Sequence, residues 1–232
     1  MAEGIRTVEE LLASNLRVTG ALTCDLLDRT PRGAVLAAQL HARGVDVVRV
    51  SEREFLSATD TEQPQGVLAI AEQPQDALET LVLPATARLL VLDGVQDPGN
   101  VGTLLRTASA LGAHATCVLP GTADPWNAKV VRSAVGIQFR HRTICCTEEQ
   151  LTAFLAGHGV PLWGTAASGR PVETLVPPAR LALAVGNEGA GLKASVRDAC
   201  AELVALPMAP GAESLNVAVA AGIALYALRP RS

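Results

Sequence analysis

Apolar positions along this chain fall into short blocks, helix-spaced blocks interleaved with strand-length ones. In the first third, helical spacing runs over Thr7–Ala13 and Pro31–Ala42, while strand-length segments occupy Val18–Leu22, Val45–Val50 and Gly66–Ala71. Pro31 suits a first helical turn, where its missing N–H costs nothing, and Gly44 suits a helix stop. The pattern then breaks over Glu72–Arg88, which is polar and carries Pro74 and Pro84. We read residues 1–72 as a small α/β domain and 73–87 as a linker.

Residues 88–232 alternate more clearly. Strands are predicted at Leu89–Leu92, Ala115–Leu119, Leu162–Thr165, Leu181–Val185 and Leu203–Leu206. Helices are predicted over Val101–Leu111, Trp126–Val135, Glu148–Ala156 and Leu215–Leu228. Short continuous apolar strands between helices imply an α/β fold with a mostly parallel sheet and helices on both faces.

Composition agrees with a packed chain: 49% of residues are hydrophobic and 18% charged, which excludes a disordered one. No apolar run reaches membrane-spanning length, and the start lacks a signal-peptide core, so a soluble cytoplasmic protein is expected. The five cysteines include no C-x-x-C pair, and the four histidines lack ligand spacing, so neither a metal site nor a disulfide framework is expected. Cys117, in an apolar run, reads as a small buried hydrophobe.

Net charge is −4, unevenly spread: residues 1–87 carry 7 Lys/Arg and 13 Asp/Glu, the remainder 12 and 10. Lys129, Arg132, Arg140 and Arg142 fall close together in sequence. Such a patch either binds phosphates or is an ordinary solvated face.

Three predicted strands run into unusual loops, and ligands of such sheets bind beyond strand carboxyl ends. The first is LDGVQDPGNVG at 92–102, leading into a helix whose Gly99, Gly102, Thr103, Arg106, Ser109 and Ala110 share one small or polar face. Asn100 there is either a helix N-cap or a ligand contact, and Arg106 either an ordinary exposed arginine or a reader of phosphate or ribose. The second is VGNEGAGL at 185–192, whose glycines permit close backbone approach. The third runs from Leu206-Pro207-Met208 to Ser214-Leu215-Asn216. Ser214 is expected to cap the last helix, with Asn216 in its first turn. Alanine and glycine along that helix (Ala218, Ala220, Ala221, Gly222, Ala224) expect something packed tightly on it. No G-x-G-x-x-G follows a first strand, and neither G-x-x-x-x-G-K-[ST] nor G-x-S-x-G occurs, which removes the dinucleotide, P-loop and α/β-hydrolase readings.

Together, LDGVQDPGNVGTLLRTASAL at 92–111, LAVGNEGAGL at 183–192 and LPMAPGAESLNVAVAAGIALYAL at 206–228 resemble the three signature motifs of the SpoU/TrmH-type RNA ribose 2′-O-methyltransferases of the SPOUT superfamily. EGIRTVEELL and QPQGVLAIAE resemble the start and end of the L30e-like substrate-binding domain that often precedes them.

The resemblance implies a C-terminal trefoil knot, a homodimer with sites at its interface, and RNA, ribosomal or transfer, as substrate. It implies S-adenosylmethionine held by Thr165, Ala166, Gly186, Asn187, Glu188, Gly189, Leu206, Met208, Ser214, Leu215 and Asn216. Arg106, Asn100, Glu188, Ser214 and Asn216 take the catalytic roles, with Arg106, Lys129, Arg132, Arg140 and Arg142 on the RNA. A non-catalytic RNA-binding protein that keeps the fold is the alternative; a binding module has no use for the full motif set.

Overall fold

The structure, a computed structural model, describes residues 1–59, 61–211 and 214–230. In chain order its elements begin with β1 (Ala2–Glu3), α1 (Ile5–Leu12), β2 (Val18–Thr23), α2 (Asp25–Asp28), α3 (Pro31–Ala42), β3 (Val47–Arg49), α4 (Glu52–Ser57) and β4 (Val67–Ala71). There follow β5 (Ala87–Asp93), α5 (Pro98–Ala110), β6 (Ala115–Val118), α6 (Ala128–Ser133), β7 (Thr143–Cys145) and α7 (Glu148–Gly157). The last are β8 (Leu162–Pro171), β9 (Arg180–Gly186), α8 (Ala194–Asp198), β10 (Glu202–Ala205) and α9 (Val217–Ala227). No helix of the described residues is long and apolar enough to cross a membrane.

The chain divides into two compact units, one of residues 1–75 with 126–140 and one of 76–125 with 141–232. In the first, a four-stranded sheet of order β1-β4-β2-β3 packs Ala21, Val67 and Ala69 against Val8 and Leu11 of α1 and Leu36 and Leu40 of α3. The expected start of α3 is present: Thr30 caps it, accepting the Gly33 N–H at 3.0 Å, with Pro31 in the first turn. Gly44 follows the helix with φ +66°, a backbone that favours glycine. α4 was not expected, although its Ser51-x-x-Glu54 forms a capping box.

The second unit holds a six-stranded sheet of order β10-β8-β9-β5-β6-β7, every pair parallel. All seven residues of β5 are buried, the signature of a strand covered on both faces. Cys117 is fully buried in this core, as read from its neighbours. Two expectations are corrected. Much of the supposed linker belongs here, because Leu78, Leu81 and Leu83 are buried in the unit's core. The helix expected at Trp126–Val135 shortens to α6 and belongs to the first unit, where Arg132 Nη1 donates to Glu3 Oε2 at 2.7 Å.

Arg88, on β5, is 4% exposed, and among the described residues it meets no carboxylate. Its Nε donates to the Leu228 carbonyl at the end of α9 (2.7 Å), and Nη1 to Ala179 O (2.7 Å) and Ala87 O (2.9 Å). Carbonyls at a helix C-terminus favour a cation. Arg88→Met is expected to strand these acceptors and lower stability by about 3 kcal/mol, read by urea unfolding. An unchanged midpoint contradicts that role.

Candidate active site

The carboxyl ends of β5, β8, β9 and β10 are neighbours in the second sheet, so the loops leaving them meet. Asp97, not Asn100, caps α5: its Oδ1 accepts the Asn100 N–H at 2.8 Å, with Pro98 in the first turn. That frees the Asn100 side chain. Its Nδ2 donates to Glu188 Oε1 at 3.0 Å, and its Oδ1 accepts from Asn216 Nδ2 at 2.9 Å. One hydrogen-bonded chain, Glu188–Asn100–Asn216, therefore runs through all three sequence motifs.

Each member is fixed locally. Asn187 ties its own loop together, with Oδ1 accepting the N–H groups of Gly189 (3.0 Å) and Ala190 (2.9 Å) and Nδ2 donating to Gly94 O (2.9 Å). Glu188 also accepts the N–H groups of Gln96 and Asp97, each at 3.3 Å. Partial burial works against the Glu188 charge, but the bonds from Asn100 and from main-chain N–H groups prevail and hold its carboxyl below the ordinary range. Asn216 is itself the N-cap of α9, with Oδ1 accepting from Ala218 (2.9 Å) and Val219 (3.3 Å). The cap expected of Ser214 is thus corrected: Asn216 occupies that position because its amide both caps the helix and reaches Asn100.

Beside this chain lies a cavity of about 440 Å³. Of the residues expected to hold the cofactor, Thr165, Ala166, Gly186, Asn187, Glu188, Leu206, Met208, Ser214, Leu215 and Asn216 line it. Gly189 does not; it serves the Asn187 turn instead. The sequence reading missed Ala167, Gly191, Val204, Val217 and Ala220. Gly191 lies inside the 183–192 motif, whereas Val204 and Ala220 look like ordinary core residues. Apolar walls with a few convergent polar groups suit a small, partly apolar ligand, and Leu206, Met208 and Leu215 offer an adenine ring a surface while Glu188 offers a cation a counter-charge. Among the described residues, no group of three or more His, Cys, Asp or Glu is arranged to hold a metal.

Arg106 lies on the exposed side of α5 and does not line this cavity. Among the described residues it has no hydrogen-bond or ion-pair partner. Gly102, expected on the same open face, is buried. The tight packing expected on α9 comes partly from α5 of the same chain, since a Cβ at Gly222 would stand 3.3 Å from Thr107 Cγ2. Leu215, Val219, Ile223 and Tyr226 nevertheless remain exposed.

The cations at 129–142 do not form one free patch. Arg132 neutralises Glu3, whose side chain is 3% exposed and would otherwise be an unpaired buried charge. Arg140 pairs with Glu10. Arg142 belongs to the other unit and bonds Thr80 O at 2.9 Å and Thr80 Oγ1 at 3.1 Å, with Asp76 at 3.4 Å. Lys129 is exposed, and among the described residues its ammonium has no partner.

Known proteins resemble this chain in sequence and in fold. Residues 87–226 match the SpoU rRNA Methylase family, and residues 1–69 match the MRM3-like substrate binding domain. The chain is 40% identical over 188 residues to the 23S rRNA (guanosine(2553)-2′-O)-methyltransferase RlmP of Bacillus subtilis, covering 80% of this chain and 73% of that protein. It is 35% identical over 204 residues to the 23S rRNA (guanosine-2′-O-)-methyltransferase RlmB of Escherichia coli K12, covering 83% of each. Among solved structures, an AdoMet-bound rRNA methyltransferase from Sinorhizobium meliloti superposes with a TM-score of 0.86 at 30% identity, over 98% of this chain and 85% of that one. AviRb from Streptomyces viridochromogenes, a SpoU methyltransferase in complex with AdoMet, gives 0.85 at 26% identity, over 98% and 88%.

Proposed function

Because the chain belongs to the SpoU rRNA Methylase family, we propose that it transfers a methyl group from S-adenosylmethionine to a ribose 2′-hydroxyl of ribosomal RNA, as a cytoplasmic homodimer. The observation that carries this reading is the Glu188–Asn100–Asn216 chain beside the 440 Å³ cavity. Ribosomal RNA is preferred to transfer RNA because the related enzymes RlmP and RlmB are named for 23S rRNA.

When bound, S-adenosylmethionine supplies a methyl on a cationic sulfonium, which the ribose oxygen takes in one in-line displacement that leaves neutral products. This chain's task is alignment and the handling of one proton. Gly186, Asn187 and Glu188 form one wall of the cofactor site, Leu206, Met208, Ser214 and Leu215 another, and Thr165 and Ala166, midway along β8, a third. Asn100 and Asn216 orient the ribose. Arg106 steadies the emerging oxyanion as a donor; it is not the base, because a guanidinium keeps its proton above about pH 12.

Arg106 lies outside its own chain's cavity, which supports an arrangement in which a second copy supplies it. Val219, Ile223 and Tyr226 fall at helical spacing along α9 and are exposed, as is Leu215 just before the helix, an apolar surface suited to a partner. The trefoil knot implied by the sequence motifs belongs to the same proposal. Lys129 and Arg106 are the cations offered to RNA phosphates.

Methyl transfer from labelled S-adenosylmethionine to bacterial ribosomal RNA, followed by mapping of ribose 2′-O-methyl positions, tests the reading. One or a few new 2′-O-methyl nucleotides are expected. RNA binding without transfer would favour a non-catalytic role, and transfer to a base would remove the ribose assignment.

A further inference from the structure

Asp93 ends β5 beside Gly186, its partner in β9, so it sits beneath the loop that walls the cavity. Its side chain is 0% exposed. Oδ2 accepts the main-chain N–H of Lys193 at 2.7 Å, and the Lys193 ammonium lies 3.4 Å from Oδ1. Lys193 immediately precedes α8 and follows the turn closed by the Asn187–Gly191 bridge. Its Nζ also donates to Pro120 O at 2.7 Å and to Glu148 Oε1 at 3.1 Å, while Glu148 Oε2 accepts from Ser195 Oγ at 2.5 Å. Asn187 already fixes the entrance of the turn to Gly94. Asp93 fixes its exit, and the lysine side chain joins that point to the loop after β6 and the start of α7.

We infer that Asp93 and Lys193 are positioning residues for methyl transfer, a clasp that holds the 187–191 turn where Glu188 meets Asn100. Neither lines the cavity, so neither is a catalytic residue. A buried carboxylate needs its counter-charge. Here that charge is placed on the return path of the turn, where it restrains the loop as well as neutralising the acid. The inference rests on the reading of the cavity as the S-adenosylmethionine site.

The test is calorimetric titration with S-adenosylhomocysteine together with steady-state kinetics. Asp93→Asn keeps the shape and removes the charge. The dissociation constant and the KM for S-adenosylmethionine are expected to rise about tenfold, the scale of one charged hydrogen bond, with kcat at saturating cofactor within about threefold of the wild type. In a Glu188→Gln background the same change is expected to add less than about threefold, because the two act through one loop. Should Asp93→Asn fail to fold, Lys193→Met, which keeps the main-chain bond, is expected to weaken binding several-fold, and Lys193→Arg to restore it. Wild-type affinity in both Asp93→Asn and Lys193→Met overturns the inference alone, as does full additivity with Glu188→Gln. A silent titration of the wild type overturns the cofactor reading itself.

Discussion

Arg106→Ala is expected to lose about a thousandfold in methyl transfer while binding S-adenosylhomocysteine within about twofold of the wild type. The asymmetry follows from position: Arg106 is exposed on α5 and absent from the cavity wall, so its removal leaves the cofactor contacts intact. What goes is the only donor proposed for the developing charge on the ribose oxygen. Arg106→Lys is expected to recover part of the rate, since it restores the charge without the forked donors. Single-turnover transfer to ribosomal RNA with saturating cofactor checks this. Near-normal turnover in Arg106→Ala removes the residue from the mechanism.

Gly186→Ala is expected to abolish cofactor binding. A Cβ at Gly186 would stand 2.2 Å from the Gly191 carbonyl carbon and 2.3 Å from Leu192 N, both backbone atoms that no rotamer change can move aside. The 187–191 turn must shift, and with it the contact between Glu188 and Asn100. The cost of such overpacking, here about 3 kcal/mol or more because only main-chain atoms can give way, falls on the loop that walls the cavity. We expect at least about a hundredfold loss of S-adenosylhomocysteine affinity, measured by calorimetry alongside a melting curve. Wild-type affinity would show that the turn does not shape the site. The two variants also test each other. If a second copy supplies Arg106, a mixed dimer of Arg106→Ala and Gly186→Ala protomers contains one intact site and regains transfer. If Arg106 acts within its own chain, the mixture stays inactive.

Five of the six strands of the second sheet were legible because each is a short, largely apolar run, and burial on both faces demands that composition; the edge strand β7, only three residues long, was not expected. The motif loops were legible for a different reason: a glycine–amide–carboxylate sequence such as 186–191 has few other uses. The bonds from Asn100 to Glu188 and from Asn216 to Asn100 both required coordinates, since 88 and 116 residues separate the partners.

Where the reading failed, the missing information was tertiary. Residues 73–87 looked like a linker because proline and glutamine dominate the eye, yet Leu78, Leu81 and Leu83 supply three buried side chains. Nothing local in Ala128–Ser133 assigns that helix to the first unit; the buried Glu3 does, by claiming Arg132. β8 was expected to stop at Thr165 and runs to Pro171, because β10 pairs with it through a register shift at Leu203/Val204 that the sequence Ala-Ala-Ser-Gly-Arg does not announce. α4 was missed despite a local signal, its capping box.

Titration of the wild-type protein with S-adenosylhomocysteine tests most directly whether the cavity at the meeting of the three loops is a methyl-donor site. One site per chain with a dissociation constant of roughly 1–100 μM is expected, a free energy near 6–8 kcal/mol. No heat at about 1 mM ligand, where even a binding energy of about 4 kcal/mol would register, would contradict it.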